Sequence, residues 1–166
     1  FTVREKAANV PTAFVATYGE GRPRIGILAE YDALSSLSQK PGVAHKVPLV
    51  PGGHGHGCGH NLLGAGSLAA AVAVKKLIEE GKLSGTVVFY GCPGEEGCAG
   101  TTFMARDGEF RDLDAAITWH PGDTNEVTTG SNAACLQYLY SFQGVSAHAA
   151  GDPHLGRSAL DAAELM

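Results

Sequence analysis

Residues 61–91 read NLLGAGSLAAAVAVKKLIEEGKLSGTVVFYG, and the fold turns on how that run divides. Residues 61–80 are mostly Ala, Leu and Val. Their charges, Lys75, Lys76, Glu79 and Glu80, fall in the last turns, and Gly81 stands where a helix stops. This predicts a helix, and its apolar character on nearly every side predicts a buried one. Residues 86–91, TVVFYG, are short, continuous and rich in β-branched and aromatic types, which is the pattern of a strand covered on both faces. Downstream, the loop CPGEEGCAG leads to a short helix near residues 101–106, and LDAAITWH (113–120) predicts another buried strand. Upstream, two β-rich runs, 12–18 and 24–31, flank GEGRP, a Gly/Pro turn suited to a hairpin. Strand alternating with helix predicts an α/β fold, a mostly parallel sheet with flanking helices. Ligands of such sheets bind at the carboxyl ends of the strands. Asp32, Glu95, Glu96 and His120 fall there.

The pattern changes near residue 130. ACLQYLYSFQG alternates loosely, the loop VSAHAAGDPHLG follows, and RSALDAAELM has a helical pattern without a cap or stop signal. Two domains are expected, 1–129 and the beginning of another over 130–166. FTVREKAANV at the start has no initiator Met, no apolar core and no small-residue cleavage site, so the stretch reads as part of a longer chain. The 166 residues are 44% hydrophobic and 17% charged, enough apolar mass for one core, with a net charge of -5. No basic patch suggests nucleic acid or an anionic membrane. The longest uncharged apolar stretch, 62–74, is broken by Gly64, Gly66 and Ser67 and falls short of the roughly 20 residues that span a bilayer. Four cysteines, at 58, 92, 98 and 135, include no CxxC pair, which excludes a four-cysteine zinc ribbon. A reduced, cytoplasmic protein is expected, with Cys92, Cys98 and Cys135 as small buried residues.

Residues 53–60, GHGHGCGH, alternate glycine with metal-capable side chains. Glycine lets backbone approach a ligand closely, so Cys58 and His60 can turn toward one ion. The competing reading is a flexible linker with incidental histidines. Glu95 and Glu96 present a similar choice between a solvated turn and a working pair. In an extended segment neighbouring residues point in opposite directions, so one carboxylate can ligate a metal while the other faces a substrate. Hydrolysis needs that division, because a carboxylate that is not a ligand has to move the proton. Their position after a buried strand, at the edge that also carries Cys58, His60 and His120, favours the working pair.

Five stretches, GILAEYDAL, GHGCGHNLLG, FYGCPGEEGCAG, TWHPG and GVSAHAAGDPHLGRSALDA, closely resemble the M20 family of metallopeptidases and amidohydrolases, in the family's order and from about Pro23 onward. The resemblance implies an M20-type catalytic domain followed by the start of an α+β lid or dimerisation domain. It implies hydrolysis of a small amide, p-aminobenzoyl-glutamate or a related N-acyl amino acid or dipeptide, by attack of a metal-activated water. Two divalent ions are implied, manganese ahead of zinc. Cys58, His60, Glu96 and His120 match metal ligands, with Cys58 at the bridging position. Glu95 matches the general base and Asp32 the aspartate that supports the metal-binding loop, although a turn or cap residue there reads the same. Glu30 stands where many members carry a metal-binding His, which leaves its role open. His148 matches a lid residue that stabilises the oxyanion in a partner protomer, against a plain structural hydrogen bond. His45, His54, His56 and His154 match no ligand. A homodimer, or a heterodimer with a related chain, is implied through the lid, with no nucleic acid and no membrane partner. A further ligand is expected beyond residue 166, so this stretch alone is expected to be inactive. Arg157 reads as a helix-start arginine or as a partner for a substrate carboxylate. Two other classes stay open: a cysteine hydrolase using Cys58 with His60 or His148, and a non-catalytic metal-binding protein.

Overall fold

A computed structural model describes residues 1–166, the side chain of Cys98 excepted; the expectation that Cys98 is buried lies outside the described residues. The chain divides into two compact units, Phe1–Asn125 and Glu126–Met166.

The first unit is built on β4 (Gly85–Cys92), all eight of whose residues are buried. Its side chains alternate between two cores, as strand geometry requires. Val88, Tyr90 and Cys92 pack with Ala7, Ala13, Val15 and Met104 on one face. On the other, Val87 and Phe89 pack with Ala16, Ile27, Ala29, Leu63 and Ala71. Both edges of β4 are paired. β3 (Arg24–Glu30) runs parallel to it with Glu30 opposite Cys92, and β2 (Phe14–Glu20) runs antiparallel with Glu20 opposite Gly85. β1 (Thr2–Glu5) adds antiparallel to β2, and β5 (Ala115–Ile117) adds parallel to β3. The sheet order is therefore β1-β2-β4-β3-β5, a mixed sheet whose β4-β3-β5 portion is parallel.

The expected hairpin does not form, because β4 lies between β2 and β3. The turn between them wraps the start of β4 instead: Thr86 N–H donates to Pro23 O at 2.9 Å and Thr86 Oγ1 donates to Gly21 O at 2.8 Å. A continuous apolar strand gains most by being paired on both edges and covered on both faces, and adjacency in sequence yields to that.

α1 (His60–Glu79) covers the Val87–Phe89 face, but it is not buried all round. His60, Leu63, Ser67 and Ala71 form one buried stripe, while Leu62, Leu68 and Val72 are exposed. By length and composition alone α1 is long and apolar enough to cross a membrane; its stripe packs on β3 and β4. α3 (Gly100–Arg106) brings Met104 to the opposite face. The expected buried strand over 113–120 contracts to the exposed, three-residue β5, since it pairs only with β3 at the sheet edge. Asp114, just before it, accepts Arg24 N–H at 2.6 Å and pairs with the Arg22 guanidinium.

The long loop after β3 is folded on itself. Leu34 and Gly55 exchange two backbone hydrogen bonds of 3.0 Å at its base, and Ser38 N–H donates to Gly53 O at 3.0 Å. Farther out the Gln39 amide bridges His45 O and Val47 N–H.

In the second unit, residues 126–144 carry neither helix nor strand. Val145 pairs with Arg157 in an isolated bridge, and a 3₁₀ turn, Pro153–Leu155, precedes α4 (Ala159–Glu164). This helix does have an N-terminal cap: Ser158 Oγ accepts Asp161 N–H at 3.0 Å. Arg157 donates to Gly156 O at 2.8 Å. Cys135 is exposed rather than buried, whereas Cys92 is buried as expected.

Candidate metal centre

Three parallel strands deliver the site at their carboxyl ends, where a sheet of this kind binds ligands. β3 ends on Glu30, and Asp32 follows two residues later. β4 runs through Pro93 and Gly94 into the one-turn helix α2 (Glu95–Cys98). His120 lies on the segment three residues past β5. Cys58 and His60 come from the end of the folded loop, and Gly59 between them takes a left-handed conformation, φ 86°, that turns the chain into α1. An L side chain is strained there, and a Cβ on Gly59 would also meet Pro121 at 3.0 Å. The glycine serves this one sharp turn between two neighbouring candidate ligands.

Asp32 ties the parts together. Its Oδ1 lies 3.1 Å from His60 Nδ1, and its Oδ2 accepts the Glu96 N–H at 3.0 Å. Glu95 and Glu96 are therefore on a helical turn and not on an extended segment. Gly94 at φ 67° and Ala99 at φ 47° bound the turn, and the Asp32 carboxylate satisfies its open amide end. Consecutive helical residues diverge by about 100°, so the two carboxylates still separate. Glu95 is exposed, with Oε2 4.0 Å from His60 Nε2. Glu96 is half-buried, and its Oε1 is buried without a hydrogen-bond partner.

Two groups of donors converge. Cys58, His60 and His120 place one ligand atom each within 4.8 Å of one another, and so do Glu30, His60 and Glu95. Cys58 Sγ is 3.3 Å from His120 Nε2; two ligands on one tetrahedral zinc-like ion stand about 3.5 Å apart. With Nδ1 held by Asp32, His60 presents Nε2, which lies 3.3 Å from Glu30 Oε2. A carboxylate behind a histidine is the usual outer support of a metal-binding imidazole.

The electrostatics point the same way. The neighbouring Glu96 carboxylate, then burial, then the charges of Glu96, Glu95 and Glu30 push the Cys58 thiol up. Burial and then the charge of Glu95 push Glu30 up. The site thus carries an excess of negative charge, with one acidic oxygen, Glu96 Oε1, orphaned. A divalent cation fits this donor set. A raised Cys58 thiol opposes the reading of that residue as an activated nucleophile.

The structure brings together Asp32, Cys58, His60, Glu95, Glu96 and His120. It adds Glu30, whose proximity follows from strand geometry: Glu30 and Asp32, two residues apart at the end of an extended run, share a side. His54 and His56 are exposed and belong to neither group among the described residues. His148 lies in the second unit, where its Nδ1 accepts Gly151 N–H at 2.9 Å.

Comparison with known proteins bears on this site. The chain is 54% identical over its whole length to one subunit of the p-aminobenzoyl-glutamate hydrolase of Escherichia coli K12, covering 34% of that protein. To the other named subunit of the same hydrolase it is 33% identical over 92% of its length, covering 37% of it. It thus spans about a third of the length of the curated relatives it matches. Among solved structures, a dinuclear metal binding peptidase of Bacillus subtilis aligns with a TM-score of 0.60 and 25% identity over 73% of this chain and 33% of that one. The sequence model of one family matches residues 26–164, a span that holds every residue of the acidic, thiol and imidazole cluster, and the chain belongs to that family, peptidase family M20/M25/M40.

Proposed function

We propose that the chain carries the metal-binding core of an amidohydrolase that cleaves the amide bond of p-aminobenzoyl-glutamate or a related small N-acyl amino acid or dipeptide. The observation that carries this reading is the arrangement around Asp32. One carboxylate orients His60 through Nδ1 and the Glu95–Glu96 turn through an amide, beside a Cys58–His120 pair 3.3 Å apart and an orphaned Glu96 oxygen. The substrate class is suggested by the relatives' names.

Cys58, His60, Glu96 and His120 would hold two divalent ions, manganese in preference to zinc. When bound, such ions lower the pKa of water from about 15.7 toward 7 and polarise a carbonyl under attack. The proton work falls to Glu95, the exposed member of the pair, whose Oε2 is 4.0 Å from His60 Nε2; it accepts the proton of the attacking water and returns it to the leaving nitrogen. Asp32 keeps His60 and the α2 turn in register for that exchange. His148 acts on the developing oxyanion, across a dimer interface. With Nδ1 accepting Gly151 N–H, a neutral His148 carries its proton on Nε2, as that role needs. The working assembly is a dimer of identical chains, or a pair with a chain similar to the second hydrolase subunit, and it works in the cytoplasm.

The test is glutamate release from p-aminobenzoyl-glutamate by the full-length protein, alone and with the related partner chain, in manganese and then in excess chelator. Metal-dependent release is expected. No release with manganese and partner both present would sink the substrate assignment, and metal uptake without turnover of any N-acyl amino acid would make this a metal-binding protein.

A further inference from the structure

His120 is on neither a helix nor a strand, so something else must fix the position of its ring. The residues on each side of it are seated on the first turns of α1. Trp119, the chain's single tryptophan, donates its indole N–H to Ser67 Oγ at 3.0 Å, and Ser67 is buried in α1. Gly66 leaves room for the same indole: a Cβ there would come within 2.8 Å of Trp119 Cζ2. On the other side of His120, Pro121 lies over Gly59, the residue between Cys58 and His60. Gly and Ser weaken the interior of a helix made mostly of Ala, Leu and Val. Here they form a notch and an acceptor that match one indole. The segment is thereby pinned at 119 and 121, and His120 Nε2 comes to 3.3 Å from Cys58 Sγ.

We propose that Trp119 is a positioning residue of the metal centre: its indole, docked in the Gly66–Ser67 notch of α1, sets His120 beside Cys58. This rests on the metal reading above. It concerns residues outside the ligand set, and Trp119 itself binds no ion.

The experiment is a cobalt(II) titration of the full-length protein, followed by visible absorption and by the thiolate-to-cobalt band, for the parent, Ser67→Ala, Trp119→Phe, the double variant and Gly66→Ala. Each single change is expected to lower cobalt affinity about tenfold and to alter the visible spectrum, with the Cys58 thiolate band retained. The double variant should lose no more than the worse single one, because both remove the same hydrogen bond. Gly66→Ala separates positioning from folding. Helix propensity favours Ala, so the metal-free protein should melt no lower while its cobalt affinity falls. Tryptophan emission should shift to the red in metal-free Ser67→Ala and Gly66→Ala as the indole leaves its notch. Parent-like affinity and spectra in Trp119→Phe and Ser67→Ala would overturn the proposal alone. So would affinity losses confined to variants whose metal-free melting temperature drops in step. Failure of the parent itself to take up cobalt would overturn the metal reading, and this one with it.

Discussion

Asp32 holds two elements with one carboxylate. Burial pushes its carboxyl up, but N–H donors from Glu96, from its own backbone and from Glu95, together with His60, outweigh that and keep it below the usual carboxylate range. It is therefore an anion at neutral pH, suited to fix the tautomer of His60. Asp32→Ala is expected to leave the chain folded and to lower manganese affinity by about 10–100-fold, measured by competition titration; affinity within twofold of the parent would show that His60 needs no such support. Glu95→Gln keeps shape and removes the base. Metal uptake should persist while turnover falls by about 10²–10⁴-fold, and retained turnover would exclude Glu95 as the proton carrier. At this scale the candidates were legible because each is a residue type with few other reasons to cluster. Their geometry was not. The Glu95–Glu96 pair sits on a helical turn that exists because a carboxylate distant in sequence satisfies its amides. Glu30 enters the site only through strand direction, which composition does not reveal.

Among the elements, β4 has the most to lose from a buried ionisable group. Burial pushes the Cys92 thiol from its ordinary 9.0 up to about 11, so the folded state keeps it neutral where the unfolded chain begins to ionise. The sign follows: this contribution is fully present below about pH 9 and is lost as pH rises toward 11. Urea unfolding of the parent and of Cys92→Ala at a series of pH values between 7 and 11 should give stabilities that converge as the pH rises, by at most about 3 kcal/mol. A constant gap would mean that the Cys92 thiol is not held neutral by the core. The strand was legible because a short β-branched and aromatic run between turn signals has few alternatives. Its partners were not. β2 and β3 read as a hairpin because they are adjacent in sequence, yet β4 inserts between them to pair both its edges. α1 read as buried because it is apolar all round, yet full burial is confined to the His60–Leu63–Ser67–Ala71 stripe, with Val74 and Ile78 half-buried against the same core.

Across the whole molecule the net charge of -5 has a local counterpart in the carboxylates Glu30, Asp32, Glu95 and Glu96, gathered beside Cys58 at one sheet edge. A divalent cation bound there stabilises the folded state by mass action. At a hundredfold excess over Kd the gain is about 2.7 kcal/mol, which should appear in calorimetry as a melting temperature several degrees higher with manganese than after chelation. An unchanged transition would argue against any cation site in the fold. The sequence by itself determined the class of fold, the central strand, the helix beside it and the family, since these depend on local periodicity and on short motifs whose residue types are tied to one chemistry. Tertiary structure alone decided the strand order, the helical turn under Glu95 and Glu96, the approach of Glu30 and the seating of Trp119 on α1. Each of these depends on hydrogen bonds and packing between residues far apart in the chain, where the partner that satisfies a group cannot be read from the residues next to it.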